Sequence, residues 1–322
     1  MDELLKEVRN INAVISEIYY KLKNTDQDKT DDIKNIERSI IKYDDAVLDK
    51  FGSFKFFKIN GNYILKPISE VHNAGSGVEG SNELNAVGHS LSLSDFIGID
   101  NIIKEVFQNT MKFASGKPAN NVLLWGDRGT GKSSLIRAVA KSFGEPPYIN
   151  KIKFIEAVEN TAELIYELIA IIKSKPFRFV LIFDDIAYDA DSMLYKKLKS
   201  ILDGGLDELP ENIIIYATSN KRHLTAEKFK KENLNSTEFI HPEEEAEEGL
   251  SLSDRFGLSY GFYSFNQETY LKIVELYIKK YGIKISSLDM DEVRKNALNF
   301  ASIKGSGSGR TAKQFVVNLI KD

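Results

Sequence analysis

The chain has 322 residues, 42% of them hydrophobic and 28% charged, the make-up of a protein with enough apolar content for two or three cores. A net charge of -4 supplies no global field for nucleic acid or an anionic membrane. No cysteine is present, which excludes disulfides, thiolate-bound zinc and a cysteine nucleophile. The four histidines, His72, His89, His223 and His241, are too widely spaced for a histidine metal site. The start, MDELLKEVRN, lacks the basic residues and apolar core of a signal peptide, and no run of about 20 apolar residues appears. A cytoplasmic location, without membrane insertion, is the expectation.

In chain order, Leu4, Val8, Ile11, Ile15, Ile18 and Leu22 recur at helical steps, and Ile33, Ile36, Ile40, Tyr43 and Val47 repeat the spacing after a polar break. An antiparallel helical hairpin is expected, serving as a structural cap or as an arm for partner docking or self-association. Residues 54–67 alternate apolar and polar around Asn60 and Gly61, which predicts a β-hairpin. The Gly, Ser and Asn content of 72–90 predicts a flexible linker.

From Leu91 onward, short continuous apolar runs alternate with helical patterns, the layout of an α/β protein whose parallel sheet is buried on both faces. Strands are expected at 121–125, 153–157, 179–183, 213–218 and 261–265, with helices at about 131–142, 161–173 and 192–203. The polar stretch 221–251, including HPEEEAEEG, reads as solvated surface rather than a site for a basic partner. Helical segments near 267–281, 289–302 and 310–321 predict a small C-terminal helical unit.

The chemistry is concentrated in a few short stretches. Gly126, Asp127, Arg128, Gly129, Thr130, Gly131, Lys132 and Ser133 match G-x-x-x-x-G-K-[ST], between an apolar strand and a helix that opens at Ser133 and Ser134. Glycines let backbone N–H groups wrap a phosphate chain, the helix N-terminus adds positive potential, Lys132 reaches the outer phosphates and the Ser133 hydroxyl suits Mg²⁺. RFVLIFDDI ends an apolar strand on Asp184 and Asp185, where one carboxylate holds Mg²⁺ and the second orients or deprotonates water; as a bare pair they would equally suit a helix cap. IIIYATSN delivers Thr218, Ser219 and Asn220 to another strand end, and the Asn220 amide can bond a γ-phosphate or the attacking water, or cap a loop. Arg255 in SLSDRFG and Arg310 after GSGSG are guanidinium groups able to neutralise phosphate charge, although Arg310 also reads as an exposed arginine after a linker.

Together these segments resemble the AAA+ ATPase superfamily from about Leu91 to the C-terminus. NNVLLWGDRGTGKSSLIRA, FDDI, ATSNKRHL, LSDRFGL and GRTAKQFV are similar to the bacterial AAA+ group known as domain of unknown function 815. The resemblance implies a P-loop αβα sandwich with a five-stranded parallel sheet and a small C-terminal helical lid; the N-terminal module of helical hairpin plus β-hairpin is read from its own residues and carries no recognised motif. The expected division is 1–88, 89–265 and 266–322. It further implies ATP or ADP with Mg²⁺ as ligands. Ile97 and Gly98 fall near the adenine, the Walker A segment on Gly126–Ser133 and the Walker B segment on Phe179–Asp185. Sensor 1 falls on Asn220, the arginine finger on Arg255 and sensor 2 on Arg310. A homo-oligomer in which Arg255 acts in trans, and a protein client, would accompany this. One departure stands out: Asp185 occupies a place where most of the superfamily has glutamate, which shortens reach to water by about 1.5 Å and raises slow hydrolysis, or a switch without turnover, as an alternative. A small-molecule kinase and a nucleic-acid loader are weaker readings, the latter because basic and aromatic residues are not interleaved.

Overall fold

A computed structural model describes residues 41–42, 45–59, 62–68, 91–186, 192–204, 208–220, 253–283 and 289–320. Among the described residues, eight strands form one sheet: β1 (Ile41–Lys42), β2 (Ser53–Ile59), β3 (Asn62–Pro67), β4 (Val122–Gly126), β5 (Ile152–Ala157), β6 (Arg178–Phe183), β7 (Ile213–Ser219) and β8 (Leu258–Phe262). Their order across the sheet is β1-β3-β2-β5-β6-β7-β4-β8. The five strands expected from the apolar runs are the parallel set β5-β6-β7-β4-β8.

The sheet is wider than five strands because the N-terminal hairpin joins it. β2 lies parallel to β5, with Phe54 opposite Ile155, and antiparallel to β3. β1 runs parallel to β3. The hairpin near 54–67 therefore forms, and it continues the central sheet. Most of the expected helical hairpin lies outside the described residues. Within its second seam, Ile41–Lys42 is strand, and helix begins only at α1 (Asp45–Lys50), because Ile41 and Lys42 pair with Tyr63 and Ile64.

Alternation along each strand sends side chains to two cores. Phe179, Leu181 and Phe183 face one core, with Phe54, Phe56, Ile155, Ile215 and Ala217. That core is closed by α1, the 3-10 turn Glu159–Leu164, α4 (Ile165–Ile172) and α5 (Met193–Leu202). Val180 and Ile182 face the other core, with Val122, Leu124, Ile152 and Phe154, under α2 (Asp100–Ala114) and α3 (Lys132–Phe143). Both faces being covered explains why the strands read as continuous apolar runs. Burying Tyr216 in this second core requires partners for its hydroxyl, supplied by Thr110 at 2.7 Å and the Asn109 amide at 3.3 Å.

Two boundaries differ from expectation. The helix foreseen at 161–173 begins as the 3-10 turn, with Thr161 Oγ1 bonded to the Val158 carbonyl at 2.7 Å. The fifth parallel strand spans Leu258–Phe262 rather than 261–265, in register with β4 so that Leu123 faces Ser259 and Trp125 faces Gly261. A third core is formed by α6 (Gln267–Lys280), α7 (Met290–Ile303) and α8 (Gly309–Leu319), against which Leu91, Ile97 and Phe265 pack. Asn266, Asp289 and Ser308 cap these three helices through their side chains.

Candidate active site at the C-terminal ends of the parallel strands

The loop after β4 is shaped by three positive-φ glycines: Gly126 at 124°, Gly129 at 76° and Gly131 at 108°. At Gly126 glycine is also required by space, since a Cβ would lie 2.0 Å from the Phe262 carbonyl oxygen on β8. The loop is stitched by Asp127 N–H to the Phe262 carbonyl (2.8 Å) and Thr130 Oγ1 to the Asp127 carbonyl (2.7 Å). Lys132 is buried, and its Nζ donates to the carbonyls of Gly126 (2.9 Å) and Asp127 (2.7 Å). Burial lowers its pKa, while Asp185, Asp127 and Asp184 oppose that shift and Arg310 adds to it.

The second wall is the end of β6. Asp184 Oδ1 accepts from the Ser133 hydroxyl at 2.5 Å and from the Thr218 hydroxyl at 2.7 Å, while Oδ2 accepts from Arg137 at 3.0 Å. Asp185 stands at φ 56°, its N–H donating to Thr218 Oγ1 at 2.8 Å, and its Oδ1 accepts from the Asn220 amide. The neighbouring strand ends are thus joined through side chains: Thr218 fixes both acids and Asn220 holds the second.

These groups open onto one cleft of about 1160 Å³, whose lining includes Ile97, Gly129–Ser134, Asp184, Asp185, Asn220 and Arg310. Its other wall is the helical unit, through Phe265, Ile273 and Tyr277. Such a mixture of apolar wall and convergent polar groups is that of a ligand site. Gly129 and α8 are in contact, the Gly309 N–H donating to the Gly129 carbonyl at 2.9 Å, and this sets Arg310 beside the loop.

Of the residues singled out in the sequence, Gly126, Asp127 and Arg128 form the loop without lining the cleft, and Gly98 (φ 80°) flanks Ile97. Arg255 stands apart, its Nε paired with Asp203 at 2.7 Å beyond the end of α5. Arg137 and Thr218 were not foreseen as partners of Asp184. Arg137 lies one helical turn after Ser133, so the i,i+4 rule placed it on the same face. The contact between Thr218 and Asp184 joins two strands and carries no local signal.

The donors beside Lys132 fit a hard divalent cation. Ser133 and Asp184 offer a hydroxyl and a carboxylate already in contact, all oxygen, and Mg²⁺ uses few protein oxygens together with substrate phosphates and water. Among the described residues, no group of three or more His, Cys, Asp or Glu could hold a metal alone, and no helix is long and apolar enough to cross a membrane.

None of the curated proteins compared with the chain matches it. Solved structures similar to it include the Thermotoga maritima RuvB Holliday junction branch migration motor, 17% identical over 72% of each chain with a TM-score of 0.38. The AAA domain of FIGL-1 in complex with ADP is 16% identical over 70% of this chain and 72% of that one, with a TM-score of 0.44. The family model described as "Protein of unknown function (DUF815)" matches residues 72–322. With its P-loop strand between β7 and β8 and a helical unit against the loop, the chain has a P-loop αβα fold with a C-terminal helical unit, and it belongs to the DUF815 family.

Proposed function

We propose that this protein binds ATP with Mg²⁺ at the loop after β4, hydrolyses it, and uses the nucleotide state to move the helical unit and a protein partner. The observation that carries this reading is the contact of Ser133 with Asp184, in the cleft that also gathers Lys132, Asn220 and Arg310. Loop N–H groups and the N-terminus of α3 favour a phosphate chain. Lys132 would leave the carbonyls of Gly126 and Asp127 to pair with the outer phosphates. Ser133 and Asp184 would hold Mg²⁺, which supplies charge neutralisation on the phosphates.

Asp185 would receive a proton from the attacking water while the water oxygen forms the bond to the γ-phosphorus. The bond from that phosphorus to the bridging oxygen breaks, and ADP leaves with the electron pair. Asn220 orients Asp185 for this proton, and Arg310 neutralises charge on the phosphoryl group. Ile97, Ile273 and Tyr277 provide an apolar seat for the base. Arg255, outside the cleft, would act on the nucleotide of a neighbouring copy in a homo-oligomer.

Phosphate release by the full chain against a Lys132→Ala control tests the proposal. Loss of release in the variant is expected, and equal rates in both overturn it. Arg255→Ala should bind ATP normally and hydrolyse it poorly, and mixing it with Lys132→Ala should restore activity; no rescue in a demonstrated mixed oligomer removes the trans role.

A second reading, an ATP-loaded switch or scaffold with little turnover, is favoured by one observation: Asp185 is short and already engaged by Asn220. Turnover above about 1 per second, the low end of ordinary enzyme rates, counts against the switch.

A further inference from the structure

We infer that Asp127 is a positioning residue that joins the phosphate loop to the hinge of the helical unit, so that loop shape and lid orientation change together. The inference rests on the proposed seating of nucleotide phosphates in the loop. Asp127 contributes its backbone to that loop, but its carboxylate is engaged elsewhere. Its Oδ2 accepts from the N–H of Ser264 at 2.8 Å and from the Ser264 hydroxyl at 2.5 Å.

Ser264 lies in the short connection between the end of β8 at Phe262 and the start of α6 at Gln267, through which the helical unit leaves the sheet. The Asp127 carbonyl meanwhile accepts from Lys132 Nζ at 2.7 Å. One residue therefore holds the hinge with its side chain and, with its backbone, the lysine that must move to meet a phosphate.

The opposite flank of the loop is held as well. The Gly129 carbonyl accepts from Gly309 N–H at 2.9 Å, and a Cβ on Gly129 would stand 2.7 Å from Ser308 Oγ and 2.9 Å from Ser308 Cβ. The loop is gripped by the connection that leads into α6 and by the N-terminus of α8. The helical unit cannot turn against the sheet with both grips intact unless the loop deforms. A phosphate that draws Lys132 away from Asp127 changes the loop where the hinge is attached. Coupling of this kind between two elements shifts affinities by about 5- to 150-fold; with Asp127 exposed, the low end, about tenfold, is expected.

The absence of cysteine permits a direct test on the full chain. Gln108→Cys on the exposed side of α2 and Ile303→Cys, 83% exposed at the end of α7, take a spin-label pair for distance measurement with and without ADP and Mg²⁺. Binding of a fluorescent ADP is titrated in parallel. Asp127→Ala should broaden the interspin distances without nucleotide and change ADP affinity about tenfold, with unchanged circular dichroism.

Asp127→Asn, which keeps an acceptor for the Ser264 N–H, should restore most of the parent distribution, and Ser264→Ala, which removes only the hydroxyl, should fall between. A merely structural Asp127 would show neither the distance change nor the rescue. Parent-like distances in both states, with affinity within about twofold, overturn the inference. If the parent binds no ADP, it is the functional proposal that fails, and the nucleotide-free distances of Asp127→Ala still decide the hinge contact.

Discussion

The side-chain amide of Asn220, at the end of β7, donates to Oδ1 of Asp185, at the end of β6, so two neighbouring strand ends present one hydrogen-bonded unit to the cleft. Asp185 adopts φ 56°, a left-handed conformation that Asp and Asn tolerate better than longer side chains because they bond to nearby backbone. A shorter acid suits this backbone better than glutamate. Asp185→Glu is therefore expected to melt below the parent and to hydrolyse ATP no faster. Asp185→Asn should keep nucleotide binding and the parent melting temperature while losing about 100-fold or more in hydrolysis. Thermal melts and phosphate release check both; a faster Asp185→Glu protein would show that reach, not backbone, sets the rate.

The N-terminal hairpin is held by the same core as the parallel strands. Phe56, fully buried, lies on β2 among the residues that pack with Phe183 and Ile155, and Phe54 is its equally buried neighbour two positions earlier. Phe56→Ala should cost about 3–5 kcal/mol, and a chain beginning after residue 71 should lose solubility because β5 would become an unpaired edge. Urea unfolding and soluble yield measure these outcomes. A stable, soluble truncated chain would mean that β2 contributes little.

What was legible in the sequence follows from where the information is local. The central strands β5, β6 and β7 are buried on both faces, so their apolar runs stand out, and Ser133 and Asp184 follow from a glycine pattern and a strand end. The last strand, LSYGF, lies three residues before the expected 261–265, and only Phe262 of its C-terminal half is buried. Its true register is fixed by β4, where a Cβ on Gly261 would stand 2.9 Å from the ring of Trp125. The attachment of β2 to β5 and the grip of Thr218 on Asp184 join segments far apart in the chain. No local pattern encodes them.

At Gly126 two requirements coincide: φ of 124° and no room for a Cβ, which would sit 2.0 Å from a backbone oxygen of β8. Backbone cannot yield as a side chain does, so Gly126→Ala should destabilise by more than about 4 kcal/mol and abolish nucleotide binding. Gly129→Ala meets the Ser308 side chain instead. It should lose less stability but still displace α8 from the loop. Chemical denaturation and ADP titration distinguish the two; equal, small losses would contradict the close approach seen at β8.

Lys153 tests the electrostatics of the first core. Its side chain is fully buried, with Nζ donating to the Phe51 carbonyl at 3.0 Å and lying 4.6 Å from the centre of the Phe177 ring. Burial lowers its pKa from 10.5 to about 8, against the opposing pull of Asp49. Below about 8 both folded and unfolded chains hold the proton, and the cost of burying the charge is fully present. Between about 8 and 10.5 the unfolded chain binds the proton and the folded one releases it, so stability attributable to this group rises with pH, by up to about 3 kcal/mol. A Lys153→Met protein lacks this rise. Urea unfolding of both proteins at several pH values from 7 to 10 should show the parent gaining on the variant as pH increases, and parallel curves would mean that Lys153 keeps its ordinary proton affinity.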